Sequence, residues 1–161
     1  MIETLTINGL SMEPPDLGLG RAWQPVDHGY SDFANSPTMR GGDLVIPQAR
    51  GQRGYERVVD ATVVSISMMM FGEVEPDGTL YPGDAYEGLW VNRDYFMAGV
   101  TPGEIVTAVF TRGENLPVLT GDVIVLAAAD WRLRPQTCLA TATFRLDMKI
   151  LAGYLDEDES A

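Results

Sequence analysis

The sequence predicts a mainly β fold, a β-sandwich or partly open barrel with one inserted α-helix, and three observations predict it. Apolar and polar residues alternate with a period of two over short segments that end in Gly, Pro, Asn or Asp. Only one stretch, beginning at Asp84, carries helix signals at both ends. That stretch precedes the last three strand-like segments, so the helix lies on a sheet instead of alternating with parallel strands. The chain has 161 residues, of which 45% are apolar, which suits one core. Residues 1–155 are expected to form a single β-sandwich domain with a long ordered loop over residues 11–40, and residues 156–161 an acidic C-terminal tail.

The elements follow in order. Ile2 to Ile7 alternate as a strand does, and Asn8-Gly9 supplies the two positive-φ positions of a tight hairpin turn. Ser11 to Arg40 is Pro- and Gly-rich, with Trp23, Tyr30 and Phe33 scattered through it at no sustained period. It reads as a loop or clamp, expected to be held by other subunits instead of by its own core. Val58 to Phe71 is dense in β-branched residues on both faces, as in a strand covered on both sides or one laid against a neighbouring subunit. Met68-Met69-Met70 serves either as core filling or as an adaptable contact.

Glu75-Pro76-Asp77-Gly78 is a turn signal. Asp84 as N-cap, Glu87 as capping-box partner and Gly99 as stop then define a helix of about four turns. Its Tyr86, Leu89, Trp90 and Met97 are expected to share the buried face. Three strands follow: Glu104–Arg112, Asp122–Arg134 and Cys138–Leu151. In the last, Ala140, Ala142, Phe144, Leu146, Met148 and Ile150 alternate with Thr141, Thr143, Arg145, Asp147 and Lys149, which predicts one core face and one wet face. The short Arg134-Pro135-Gln136 link makes the last two strands antiparallel neighbours.

Charge narrows the function. The formal net charge of −12 repels phosphate backbones and anionic lipid. The single cysteine, Cys138, has no disulfide partner within the chain and suits a reducing compartment. The absence of a long apolar run leads to the expectation of a soluble chain, made in the cytoplasm. No metal or cofactor is expected: one His and one Cys are too few for zinc, and neither the Asp77 turn nor the terminal acids have the spacing of a calcium loop. A triad would have to use His28 with Ser31 or Ser36, and neither serine lies in a Gly-x-Ser-x-Gly elbow, so an enzyme is not expected. Gly51-Gln52-Arg53-Gly54 lacks the Lys of a phosphate loop.

One segment stands out. Residues 40–57 hold Arg40, Arg50, Arg53 and Arg57 against only Asp43 and Glu56, in an otherwise acidic chain. Such asymmetry suits self-association through a basic loop, or pairing with acids of the same chain.

Here the sequence resembles a known family. Arg40-Gly41-Gly42-Asp43-Leu44-Val45-Ile46-Pro47, then Gly51, then Arg57-Val58-Val59-Asp60-Ala61 is similar to the N-terminal domain of distal tail proteins of long-tailed bacteriophages, especially actinobacterial ones. Leu5-Thr6-Ile7-Asn8-Gly9-Leu10 is similar to their opening strand and Phe144-Arg145-Leu146-Asp147-Met148-Lys149-Ile150 to their closing one. No second, carbohydrate-binding-like domain follows in this sequence, and the helix lacks the Leu- and Arg-rich pattern usual there.

The resemblance implies a non-catalytic structural protein of the virion tail, assembled in the host bacterial cytoplasm. It would form a homo-oligomeric ring, usually hexameric, between the tail tube protein and the baseplate hub or other tail-tip proteins, with DNA only as passing cargo in the lumen and no membrane partner. Arg40, Asp43, Pro47, Gly51, Arg57 and Asp60 match the family's loop and strand entry, and Arg50 and Arg53 join them as a possible subunit interface. The alternatives are another tail-tube or tail-completion ring protein, or a β-sandwich saccharide-binding module that stacks sugars on Trp23, Tyr30 and Trp90.

Overall fold

The structure is a computed structural model that describes residues 3–35, 61–135 and 140–157, together with the backbone of short strands at 39–40, 43–45, 52–54 and 58–59. In chain order the elements are β1 (Thr4–Ile7), β2 (Leu10–Ser11), β3 (Trp23–Pro25), a 3-10 turn (Ser31–Ala34), β4 (Met39–Arg40), β5 (Asp43–Val45), β6 (Gln52–Gly54), β7 (Val58–Val59), β8 (Thr62–Phe71), α1 (Ala85–Gly99), β9 (Ile105–Thr111), β10 (Leu119–Pro135), β11 (Ala140–Ile150) and β12 (Asp156–Glu157).

One antiparallel sheet in the order β2-β1-β9-β10-β11-β8-β3, with β12 added to the start of β10, curls as a half-barrel. The fold is mainly β with one inserted helix, and the partly open form is the one its strands adopt. The opening hairpin is as the sequence predicts: Ile7 pairs with Leu10, and Asn8 (φ 54°) and Gly9 (φ 77°) occupy the left-handed positions of a type I′ turn. The three late strands also fall where expected, and β10 and β11 run antiparallel from Val123↔Ile150 to Pro135↔Ala140.

The alternation of β11 holds throughout. Ala140, Ala142, Phe144, Leu146, Met148 and Ile150 are all buried, and Arg145 on the other face is exposed. Strand β8 behaves differently from the expectation of two covered faces. Val64, Ile66, Met68 and Met70 are buried, whereas Val63 is 54% exposed and Ser65, Ser67 and Met69 are half-buried. Its outer face carries the hydroxyls of Ser65 and Ser67 between Val63 and Met69. Of the three methionines, Met68 and Met70 fill the core.

Residues 11–35 are a further correction. This segment is anchored by its own core: Met12, Ala22, Trp23 and Tyr30 are buried, β3 pairs with β8 at Trp23↔Met70, and the Trp23 indole N–H donates to the Ser11 carbonyl at 2.9 Å. The irregular spacing of these buried side chains leaves no period to read, because an irregular backbone sends each inward from a different direction.

α1 packs on β8 and β11, contributing Leu89, Phe96 and the following Val100 to the core. Its buried line is Gly88, Leu89, Asn92 and Phe96, so of the expected Tyr86, Leu89, Trp90 and Met97 only Leu89 is buried, with Met97 half-buried and Tyr86 and Trp90 exposed. Close approach explains the rotation. A Cβ at Gly88 would overlap the Gly72 carbonyl and the Tyr81 ring, and one at Gly72 would overlap the Ala85 carbonyl, so two bare glycine backbones bring the helix N-terminus onto the end of β8. Asn92, 2% exposed, completes the seat by donating from Nδ2 to the carbonyls of Phe71 (2.7 Å) and Val74 (2.8 Å). Asp84 is the N-cap, but its side chain makes no capping hydrogen bond.

Candidate interaction surface

Two irregularities in β10 decide which of its side chains face the helix. The register with β11 shifts between Val125 and Ala127 and again between Ala129 and Arg132, each shift inserting one residue. The inward positions therefore run Val123, Val125, Ala128, Trp131, Leu133, with steps of three at each bulge. Asp130 takes the left-handed conformation (φ 58°) within the second bulge, and its carboxylate meets Arg145 at 2.7 Å.

The second bulge delivers Trp131 to the flank of α1. Its ring stacks on Phe144 with centroids 4.1 Å apart and planes 9° apart, and its indole N–H donates to the Ala128 carbonyl at 2.7 Å. Packing and hydrogen bond together fix the ring. From the helix, the Arg93 guanidinium sits 5.8 Å from the Trp131 ring and 6.0 Å from the Trp90 ring, and Tyr86 meets Trp90 edge-on at 6.4 Å. Leu89, Trp90, Arg93, Trp131, Leu133 and Ala142 line a cavity of about 140 Å³ between helix and strand. Trp90 is 43% exposed at its mouth. Of the residues that the sequence offered as core, Leu89 lines the inside of this groove and Trp90 its mouth.

The opposite flank of α1 is also apolar. Val91 and Tyr95, 46% and 56% exposed, border Pro76 beside Glu75 and Asp77, and Tyr95 continues toward Pro14 and Pro15. Next to them, Leu17 rests where a Cβ on Gly78 would otherwise stand. The loop bearing Leu17 and Leu19 is held from within: Asp16 Oδ1 accepts the backbone N–H groups of Gly18 (2.9 Å) and Gly20 (3.0 Å). Those two bonds hold the Asp16 carboxyl below the usual carboxylate range. Hydrogen bonds from the Thr79 hydroxyl and N–H do the same for Asp77, which makes that carboxylate part of its turn.

The outer face of the sheet holds a polar chain. Asp32 Oδ2 accepts the Ser65 N–H at 2.8 Å, the Ser65 hydroxyl donates to Asp147 Oδ1 at 2.6 Å, and Arg145 Nε donates to both Asp147 oxygens at 2.9 and 3.1 Å. Burial opposes ionisation of Asp147, but the hydrogen bonds from Arg145 and Ser65 outweigh it and hold the carboxyl low.

The residues selected from the sequence fall as follows. Arg40 pairs with Val58 in the β4–β7 ladder; Asp43 pairs with Gly54 and Leu44 with Arg53 in the β5–β6 ladder, so the Arg-rich segment folds back on itself as nested hairpin ladders. Pro47, Arg50, Gly51, Arg57 and Asp60 lie outside the described residues, as do Ser36 and Cys138. His28 and Ser31 are exposed in a turn where the Ser31 N–H donates to the His28 carbonyl, and the adjacent Asp32 is engaged with Ser65. Among the described residues no three of His, Cys, Asp or Glu are grouped to hold a metal, and no helix is long and apolar enough to cross a membrane.

Of the proposed sugar platforms, Trp23 and Tyr30 are 1% and 4% exposed and belong to the core. Burial, with the Glu13 carboxylate nearby, also pushes the Tyr30 hydroxyl well above the usual phenol range. Only Trp90 faces solvent, and its partner is Trp131, which sequence reasoning missed. The run Ala127-Ala128-Ala129-Asp130 before it, too small and polar for a regular core strand, was the available signal of a bulge.

No protein-family model matches the chain, and no curated protein does. Among solved structures it is similar to the Dit protein of phage SPP1, described as a paradigm of hub adsorption apparatus in Gram-positive infecting phages. The two share 12% identity at a TM-score of 0.47, over 91% of this chain and 49% of that one. The chain therefore spans about half the length of that protein.

Proposed function

We propose that the chain is a non-catalytic structural subunit of a bacteriophage tail. It forms a ring, sixfold in the commonest arrangement, at the distal end, where it joins the tail tube to the baseplate hub. The observation that carries this reading is the apolar surface on both flanks of α1 in a chain of formal charge −12. Contiguous exposed aromatics and aliphatics rimmed by charge mark protein–protein contacts, and unlike patches on one subunit build rings. The phage-tail assignment draws on the sequence resemblance at Arg40–Ala61 and at the opening and closing strands. An acidic subunit also suits a lumen through which DNA slides without sticking.

Sedimentation of the purified chain over a range of concentrations, with negative-stain projections of the product, tests the proposal. Closed rings are expected. A monomer at every concentration overturns it. Changing Arg50, Arg53 and Arg57 together to Glu is expected to leave thermal melting unchanged and to weaken assembly in a salt-dependent way. Unchanged assembly at low salt would remove those arginines from the contact.

A further inference from the structure

We propose that the acidic stretch following β12 folds over a second cavity, on the far side of the sheet's end from α1's groove, and seats the Glu159 carboxylate on Arg112. The contact lies within one chain and stands whether or not copies assemble.

This cavity, of about 490 Å³, is formed by the 3-10 turn and the ends of β1 and β9. Tyr30, Phe33, Phe110 and Leu119 make its apolar walls, with the Phe33 and Phe110 rings stacked at 5.2 Å. The cation among its lining residues is Arg112. Nη2 of that side chain donates to the Pro117 carbonyl at 3.2 Å, which holds the guanidinium in place. Its Nε is shut off from solvent and has no hydrogen-bond partner. Glu3 lines the same cavity, yet among the described residues it forms no ion pair with Arg112. A buried donor left unpaired is costly, so the site calls for an acceptor, and a carboxylate is the strongest acceptor for a guanidinium.

Register selects which carboxylate. Glu157 pairs with Leu119, and Leu119 pairs with Phe110, so the three share one row and one face of the sheet. Two residues on, the same pairing carries Glu159 to the row of Pro117 and Arg112, on the face that bears the cavity. Asp158 falls on the opposite face by alternation. Two strand spacings separate Glu159 from Arg112, about 10 Å between backbones, a gap that two long side chains reaching toward each other close. Charge favours the same pairing. Residues 156–159 read Asp-Glu-Asp-Glu, and a cation beside them relieves their mutual repulsion.

The test is an NMR titration of the Glu159 side-chain carboxyl carbon in the full chain, as the parent and as R112Q, at two protein concentrations. Glu3 and the neighbouring Asp156, Glu157 and Asp158 raise its midpoint, whereas contact with Arg112 lowers it, so the two arrangements differ in sign. In the parent the midpoint is expected at least about 0.5 pH unit below the ordinary glutamate value, and in R112Q at or above that value, at both concentrations. If R112Q melts early, E159Q carries the comparison from the other side: the Arg112 Nε–H resonance should shift and its exchange with water should quicken.

A parent midpoint at or above the ordinary value overturns the proposal. So does a low midpoint that R112Q leaves in place, or an Arg112 Nε–H that E159Q leaves unchanged. A low midpoint lost on dilution shows the carboxylate reaching a neighbouring copy, which also overturns the contact within the chain.

Discussion

Replacing Phe144 with Ala tests the link between core and groove. Phe144 is 4% exposed, meets Phe96 edge-on at 5.1 Å and supports the stacked Trp131 at 4.1 Å. Truncating a buried Phe costs about 3–5 kcal/mol, and each well-formed aromatic pair is worth about 0.5–1.5 kcal/mol beyond its buried area. With two such pairs lost, the upper half of the range applies, about 4–5 kcal/mol. At a urea slope of about 2 kcal/mol/M the midpoint should fall by roughly 2 M. The indole of Trp131 loses its floor at the same time, so its fluorescence in the folded state should shift before unfolding begins. A stability loss below about 1 kcal/mol in denaturant melts would refute the assigned register of β11, because no other placement of Phe144 in the core leaves it so dispensable.

Further outcomes are expected elsewhere. Gly88→Ala should destabilise by about 1–3 kcal/mol in thermal melts, although helix propensity alone favours Ala by about 1 kcal/mol; a gain in stability would show that α1 does not rest on Gly72. Asn92→Ala leaves the Phe71 and Val74 carbonyls without their donor and should cost about 1–3 kcal/mol, read in the same melts. Asn92→Asp sets a carboxyl against those carbonyls, which raises its folded-state pKa. Its stability should therefore be greatest at low pH and fall as pH rises through the carboxylate range, and a flat profile would count against the contact. Asp147 has the opposite sign. Its folded pKa is lowered, so its contribution is full above the unfolded value of about 3.9 and is lost as pH falls through the folded one. Asp147→Asn should flatten that part of the acid limb, and an unchanged acid limb would mean that the Ser65–Asp147–Arg145 chain is not formed.

Regular elements were legible in the sequence because one period governed them. β11 shows every second residue buried over its whole length, and the Asn8-Gly9 turn has the left-handed residues its geometry demands. The helix was legible in extent but not in orientation. Hydrophobicity placed Tyr86 and Trp90 inward, while the contact that sets the rotation is made by Gly72 and Gly88, residues with no side chain to read. The groove escaped because Trp131 reaches it through a bulge, and a shift of register leaves only a weak mark in composition. Trp23 and Tyr30 looked like loop aromatics for a similar reason: their burial depends on β8 and β9, distant in sequence.

The paired bulges of β10 act like compensating frameshifts. Each adds a residue that inverts the facing of everything after it, and the second undoes the first. Shortening the chain here is therefore not a local event. A single deletion between Ala127 and Asp130 turns Trp131 and Leu133 out and Arg132 and Arg134 in, emptying the groove while the strand stays paired. Removing one residue at each bulge restores the phase and shortens the strand. Variation in length along this arm is then expected to come in pairs, and the spacing from Val125 to Trp131 matters to the groove as much as the identity of the indole it presents.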